Sequence, residues 1–326
     1  MAERRAPSIA DQRGLALVIV LLVLSLLLTI AGEFALAMRL EGTTTLNFRA
    51  SVASTYLAEA AYQRALVELA SEVVAHERDP QGQLVFRRSR TDPPKPVARQ
   101  DIALGPGRFS YRITDEESRL NLNNATREQL MRLLQELGVD RQAQDVIADS
   151  VLDWKDANEE HRLNGAESDY YLALPLPYKS KNDKFTSVEE LLQVRGVTPQ
   201  IFYGTQEAAP GKCRGLVDCL TVADTTQINI NTASDTILTV TGNYAQAEVD
   251  LLKQGRPYVD LRMLPSNLAG RARFTVRSSS FRIEATGEVP GQGRRTLRVI
   301  VQRQSGRQGT SRMVAWGWLH DEDARR

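Results

Sequence analysis

The chain is poor in the residues that do soft-metal and redox chemistry. Its 326 residues include two cysteines and three histidines. Cys213 and Cys219 have five residues between them, which excludes a CxxC redox centre, and their number excludes a four-thiolate zinc site. His76, His161 and His320 stand far apart and have no cysteine nearby in sequence. No P-loop, dinucleotide fingerprint or nucleophile motif occurs, so the chain is read as a non-enzyme. Charge of one sign is also lacking. Lys and Arg number 41 against 40 Asp and Glu, a formal net charge of +1, so no global field draws the protein to nucleic acid or acidic lipid. Proline is absent from residues 33–75 and glycine occurs there only at Gly42, which leaves that stretch free to be helical.

What is present begins at the N-terminus. Arg4, Arg5 and Arg13 precede Gly14, and Leu15 to Gly32 then runs eighteen residues without a charge. As a helix this run spans roughly 27 Å, close to the hydrocarbon thickness of a bilayer. The charge bias keeps the short N-terminus cytoplasmic and sends the rest outward. A cleaved secretory signal fits less well, because the apolar run is too long and Glu33 separates it from the small-residue site Ala35-Leu36-Ala37. Arg13-Gly14 abuts the apolar run with no polar spacer. In this the chain resembles type IV pilin-like prepilins, which implies a cut between Gly14 and Leu15 and a mature chain that begins with its membrane segment.

The helical pattern continues to about residue 75, giving one helix roughly 90 Å long. Leu57, Ala61, Ala65 and Leu69 repeat at i+4, as do Val52, Tyr56 and Ala60, and together they predict one apolar stripe opposed by Glu59, Gln63, Arg64 and Glu68. A weak point is expected near Gly42 and Thr43-Thr44-Thr45. Residues 78–100 read as a loop around a short Leu84-Val85-Phe86 strand. Alternation predicts strands at 107–113, 272–277, 281–287 and 295–303, and 313–319 adds a candidate strand. Strand material therefore flanks a helical middle. The organisation read is a leader at 1–14, a long helix at 15–75 with 15–32 in the membrane, a β-sheet head from 76–116 and 266–305, an inserted α-helical domain at 117–265 and a strand or tail at 306–326. That is an α+β fold, a long N-terminal helix packed on an antiparallel sheet.

The insert opens with Leu120-Asn-Leu-Asn-Asn-Ala125 and carries a second copy, Ile228-Asn-Ile-Asn-Thr-Ala233, each followed by a cap and a helix. Gly138 is a candidate C′ residue, and Ser187-Val-Glu-Glu190 has capping-box spacing for a third helix. Helix-hairpin-helix modules carry similar motifs, so a membrane-anchored periplasmic protein that binds or takes up DNA is the alternative reading. Its hairpins would need Gly-x-Gly pairs for phosphate, and only Gly138 and Gly196 stand there. The neighbouring acidic run, Asp153 to Asp169, also repels phosphate. That run offers oxygens at Asp156, Asn158, Glu160, Asn164 and Glu167, which suits a hard cation, yet His161 stands where an EF-hand needs glycine. A polar loop without metal is the equal alternative at this point.

Four features then coincide: Gly14 before the apolar run, the LNLN opening, the run DWxDxN…GAExDYY, and the ININTA copy. With these the chain resembles the general secretion pathway protein K family, the large minor pseudopilin of type II secretion systems. The resemblance covers residues 13 to about 305. It implies a pilin-like fold with a large inserted α-helical (SAM-like, helix-hairpin-helix-like) domain, and a structural calcium ion beside the GAE loop, with Asp156, Asn158, Glu167 and Asp169 as ligands and Asp153 and Glu160 behind them. It implies a single-pass inner-membrane protein with a periplasmic head, N-methylated at Leu15 after cleavage by a prepilin peptidase. The implied place is the tip of the pseudopilus, where the protein nucleates assembly and aids exoprotein export. Partners would be the I, J and H minor pseudopilins, the inner-membrane assembly platform and the secreted exoproteins, with no nucleic acid. Cys213 and Cys219 are a candidate disulfide in such a compartment. Ile19, fifth after the cleavage point, stands where most pilins carry Glu. A carboxylate so deep in a bilayer is costly unless paired, and a subunit without it has no such pair to make with a neighbour.

Overall fold

The computed structural model describes residues 9–79, 83–204, 209, 211–303 and 311–319, with side chains from residue 15 onward. Residues 1–8 of the expected leader, and 306–310 and 320–326 of the expected tail, lie outside the described residues. One helix, α1 (Ile9–Leu69), runs unbroken through Gly42. The expected weak point is absent because the Thr43 and Thr44 hydroxyls each donate to the Leu40 carbonyl at 2.8 Å, so the polar groups are satisfied within the helix. It is exposed along its first half.

The chain then forms a hairpin of β1 (Ala75–Arg78) and β2 (Leu84–Arg87), followed by β3 (Ile102–Leu104) and β4 (Gly107–Asp115). The inserted domain begins here, with β5 (Leu120–Asn121), β6 (Leu220–Thr221), β7 (Ile228–Asn229) and β8 (Phe274–Thr275). The chain re-enters the head as β9 (Ser280–Val289), β10 (Gly293–Arg303) and β11 (Ser311–Leu319). The head sheet has the order β11-β10-β9-β4-β3 with every neighbour antiparallel.

Strict alternation decides which face α1 covers. Tyr111 and Ile113 of β4, Phe281, Ile283 and Ala285 of β9, and Val299 and Val301 of β10 point inward and are buried. Against them α1 sets Leu57, Ala58, Ala61, Ala65 and Leu69. The alanines let the helix lie close, and Gly287 of β9 completes the fit, since a Cβ there would strike the Ser54 carbonyl and the Ala58 amide of α1. The opposite face is charged and laddered by cross-strand pairs such as Arg108–Glu288 and Arg298–Glu284.

Three sequence-based expectations are corrected. The long helix ends at Leu69 rather than near 75, because Val74 already donates to Arg87 of the hairpin. The predicted stripe is half right: Val52 and Tyr56 are exposed and Glu68 is buried, because the row 57, 61, 65, 69 faces the sheet and the 52, 56 row points away from it. Glu68 enters the core because Arg99 meets it there. Segment 272–277 does not join the head sheet. Its strand β8 pairs in parallel with β7, and Phe274 and Val276 belong to the core of the insert, so the insert extends past 265 to the start of β9.

Within the insert lie α2 (Arg127–Glu136), α3 (Arg141–Lys155), α4 (Ser168–Leu172), α5 (Pro199–Tyr203), α6 (Leu216–Cys219), α7 (Asp235–Gly242), α8 (Gln246–Gln254) and α9 (Ser266–Ala269). The segment expected as a third helix is a 3₁₀ turn, Val188–Gln193, with its Ser187–Glu190 capping box in place. The two asparagine motifs build two equivalent corners. In each, one Asn (Asn121 or Asn229) accepts from the backbone N–H two residues on. The next Asn then pairs with both backbone groups of a distant residue: Asn123 with Phe185, Asn231 with Tyr258. These amides act as substitute peptide groups where short strands run out. β5 pairs in parallel with β6 as β7 does with β8, so the duplication in sequence is a duplication in structure. Cys213 and Cys219 are joined as a disulfide.

His76 sits between the two cores, fully buried between Phe86 and Phe281, with Nδ1 accepting from the Ser278 N–H at 2.8 Å. Burial, then Arg303 and Arg277, hold the imidazole down to about 3, from an ordinary 6.5. With the folded value below the unfolded one, its contribution to stability is complete above pH 6.5 and is lost as the pH falls toward 3. Denaturant titrations should show stability declining over that window. His76→Asn, whose side-chain oxygen can take the Ser278 bond, should flatten the decline; an unchanged slope would remove His76 as its source.

Candidate metal centre

The acidic loop hangs between the end of α3 and the start of α4. Asp153 lies in the last turn of α3, Asp156 caps its C-terminus, and Glu167 precedes α4. Helical periodicity turns Asp153 inward with Trp154 and Val151, so its carboxylate is fully buried. Tyr171 anchors the far side: it is buried, stacked on Tyr178 at 5.2 Å and edge-on to Trp154 at 5.2 Å. The loop is thus fixed at both ends by aromatic packing rather than by its polar residues. Gly165 of the GAE sequence is required by this geometry, because a Cβ there would overlap the Asp153 carboxylate.

Carboxylate oxygens of Asp153, Asp156 and Glu167 lie within 4.8 Å of one another. Among the described residues Arg162 enters the group, donating to Asp153 at 2.5 Å and to Asp156 at 2.6 Å. Glu167 is left over. It is 1% exposed, and neither of its carboxylate oxygens has a hydrogen-bond partner. Burial, partly offset by the nearby Ser180 hydroxyl and reinforced by the charges of Asp153, Asp156 and Glu159, pushes its carboxyl up to about 7. Buried carboxylate oxygens without donors, beside two aspartates, form the donor set a hard divalent cation takes.

The residues expected as ligands divide. Asp156 and Glu167 come together, and Asn158 adjoins them, its amide donating to Asp156 at 2.8 Å. Asp169 does not join: it is exposed and pairs with His161 at 3.0 Å, because the first turn of α4 points it away from the cluster. Glu160 is exposed as well. Asp153, ranked behind these in the sequence, takes the central place. Its signal was available, since it falls on the buried face of an amphipathic helix. Glu159, not singled out from sequence, accepts from Ser168 and Asn182 and closes the loop onto α4.

The hairpin glycine Gly196 has φ +85°, and a Cβ there would press on the Ile147 side chain of α3. Arg195 donates to the Gly165 carbonyl at 2.9 Å and lies over Tyr170. Gly196 thus serves the packing against α3, and Arg195 ties the hairpin to the acidic loop.

Comparison with known proteins places these features. The family profile described as "Type II secretion system (T2SS), protein K" matches residues 113–205, the end of β4 through the acidic loop to α5. The type II secretion system protein K of Pectobacterium carotovorum subsp. carotovorum is 28% identical over 246 residues, 69% of this chain and 67% of that protein. The putative type II secretion system protein K of Escherichia coli K12 is 26% identical over 268 residues, 76% of each. The Aeromonas hydrophila protein K is 28% identical over 247 residues, 69% of each. Among solved structures, a chain of the GspK-GspI-GspJ complex from the type 2 secretion system of enterotoxigenic Escherichia coli shares the fold. Its TM-score is 0.62 at 19% identity, covering 87% of this chain and 99% of that one. The profile lies over the acidic loop and the relatives each cover about two thirds of this chain or more, so the chain carries a region that matches the type II secretion system protein K family and is similar to its members beyond that region.

Proposed function

We propose that this minor pseudopilin of a type II secretion system caps the tip of a periplasmic pseudopilus, anchored by residues 15–32 and processed after Gly14. The observation that carries the reading is the form of α1. It is apolar and exposed at one end, long enough to cross a membrane, and packed on the head sheet at the other. Ile19 in the exposed half offers no carboxylate to a subunit stacked above it, which supports the tip position. The solved GspK-GspI-GspJ complex supports I and J pseudopilins as the immediate neighbours; the H pseudopilin, the prepilin peptidase, the assembly platform and the exoproteins complete the proposed partners. The DNA-binding alternative is not favoured, since its motif residues are consumed by corner packing.

Mass spectrometry of the mature protein from host membranes tests this reading. A chain starting at N-methylated Leu15 is the expected result, and an intact Met1 would overturn it. Ile19→Glu should then disturb pseudopilus initiation; normal initiation, with the native protein spread along the fibre, would sink the tip position.

Calcium is the proposed structural ion, held by Asp153, Asp156 and Glu167, with Asn158 beside them. It would neutralise carboxylates that otherwise repel one another at the foot of α3. Calcium at roughly a hundred times its dissociation constant should stabilise the full-length protein by about 2.7 kcal/mol in a thermal melt. Glu167→Ala should remove that increment. A loss of stability equal with and without calcium would instead assign Glu167 to loop packing alone.

A further inference from the structure

A polar cavity of about 390 Å³ lies between the β1–β2 hairpin, the start of α7 and the C-terminal end of α8. Arg78, Lys212, Lys253 and Arg256 line it against Glu77 and Asp235, a formal excess of two positive charges. Both acids are already engaged: Asp235 by Lys253 at 2.8 Å and Glu77 by Arg87 at 3.1 Å. Lys212 reaches out to Glu136, also at 2.8 Å.

The two arginines are different. Among the described residues Arg78 hydrogen-bonds the Ser118 hydroxyl alone, at 3.5 Å. Arg256 donates one terminal nitrogen to the Ala233 carbonyl at 2.9 Å, while its Nε is buried and has no partner. Neither forms a direct ion pair among the described residues, although Asp115 attracts Arg78 and Asp235 attracts Arg256 from further off. Burial, partly opposed by Asp235 and reinforced by Arg78, holds the Arg256 guanidinium down to about 10. Two guanidiniums facing one cavity, neither bonded to a carboxylate, repel each other and leave forked donors free.

We propose that this cavity binds a doubly charged oxyanion of the phosphate class, gripped by Arg78 and Arg256. A dianion balances the two excess charges, and the guanidinium fork matches the spacing of its oxygens. The volume also admits a small phosphate monoester. The site is separate from the acidic loop and does not depend on calcium.

The test is calorimetric titration of the full-length protein, in uncharged detergent at fixed ionic strength, with inorganic phosphate. Saturable binding that sulfate competes away and chloride does not is the expected result. Glycerol phosphate as a second competitor distinguishes the sources: competition assigns the site to monoesters, and none assigns it to the free ion. Arg256→Gln should weaken binding by about tenfold or more, the loss of a charged bidentate contact. Because Arg256 also holds the Ala233 carbonyl, Arg78→Gln, an exposed position, serves as the second variant and should weaken binding without lowering the melting temperature. The proposal is overturned by absence of saturable phosphate binding, or by unchanged binding in both variants.

Discussion

Arg99→Ala should lower the unfolding free energy by about 3–5 kcal/mol, among the largest effects of any single substitution in the head. Arg99 ends the long loop after β2 and reaches under it to α1. Its Nε and a terminal nitrogen donate to the two carboxylate oxygens of Glu68 at 3.1 and 2.5 Å, and the Tyr111 hydroxyl donates to the same carboxylate at 3.0 Å. Both charged side chains are nearly sealed, at 5% and 6% exposure. The guanidinium lies over the Phe86 and Tyr111 rings, and removing it leaves a buried carboxylate with only the Tyr111 hydroxyl for company. The cost is that of an uncompensated charge, far above the small value of a surface pair. Glu68→Leu, Arg99→Met and Tyr111→Phe together should recover most of the loss, since no polar group is then stranded. Chemical denaturation of the unaltered protein, Arg99→Ala and the triple variant decides it; a loss below about 1 kcal/mol in Arg99→Ala would mean that water reaches the pair.

Asp115→Ala should be nearly as damaging, by roughly 3 kcal/mol or more, because it strands several donors at once. Asp115 is the last residue of β4 and the point where the head gives way to the insert. Its carboxylate accepts from Thr232, Ser278, Asn229 and the Glu117 N–H, at 2.6, 2.7, 2.9 and 2.9 Å. It therefore ties the entry of the insert to its exit before β9 and to the second asparagine corner. Burial raises its carboxyl above the ordinary range, which the four hydrogen bonds only partly offset. Asp115→Asn should cost clearly less than Ala, since the amide keeps the shape and the two hydroxyls can rotate to accept from it. Hydrogen exchange should show the loss concentrated at residues 228–232 and 276–280. Equal stability of the Ala and Asn variants would show that volume, and not hydrogen bonding, is what Asp115 supplies.

The next two acids continue the clasp. Glu116, which burial would raise, is held low by Arg282 and Arg119 and accepts from Thr221. Glu117 accepts from the N–H and hydroxyl of Ser279. Nothing in the run Asp115-Glu116-Glu117 marks it out from sequence. Three acids after a strand read as a solvated turn, and their partners lie at 221, 229, 232 and 278–282. Only chain closure brings those partners within reach. The acidic loop was legible for a different reason: its oxygens are crowded within seventeen residues of sequence, Asp153 to Asp169. Which of them converge was not legible. Asp169 leaves the cluster and Asp153 enters it because of the phase of two helices, which a spacing count does not carry.

By itself the sequence determined what local physics can decide. Eighteen uncharged residues after an arginine cluster make a helix long and apolar enough to cross a membrane, and alternation with period two makes the head strands. The asparagine copies, each followed by a cap residue, set two corners of the insert through bonds that begin within a few residues. The tertiary structure decided the rest. It gave β8 to the insert, buried Glu68 beneath Arg99, and left Glu167 without a donor beside two aspartates. The first two depend on a partner far away in the chain and the third on the phase of two helices, and a buried polar group takes its energy from the partners that the fold brings to it.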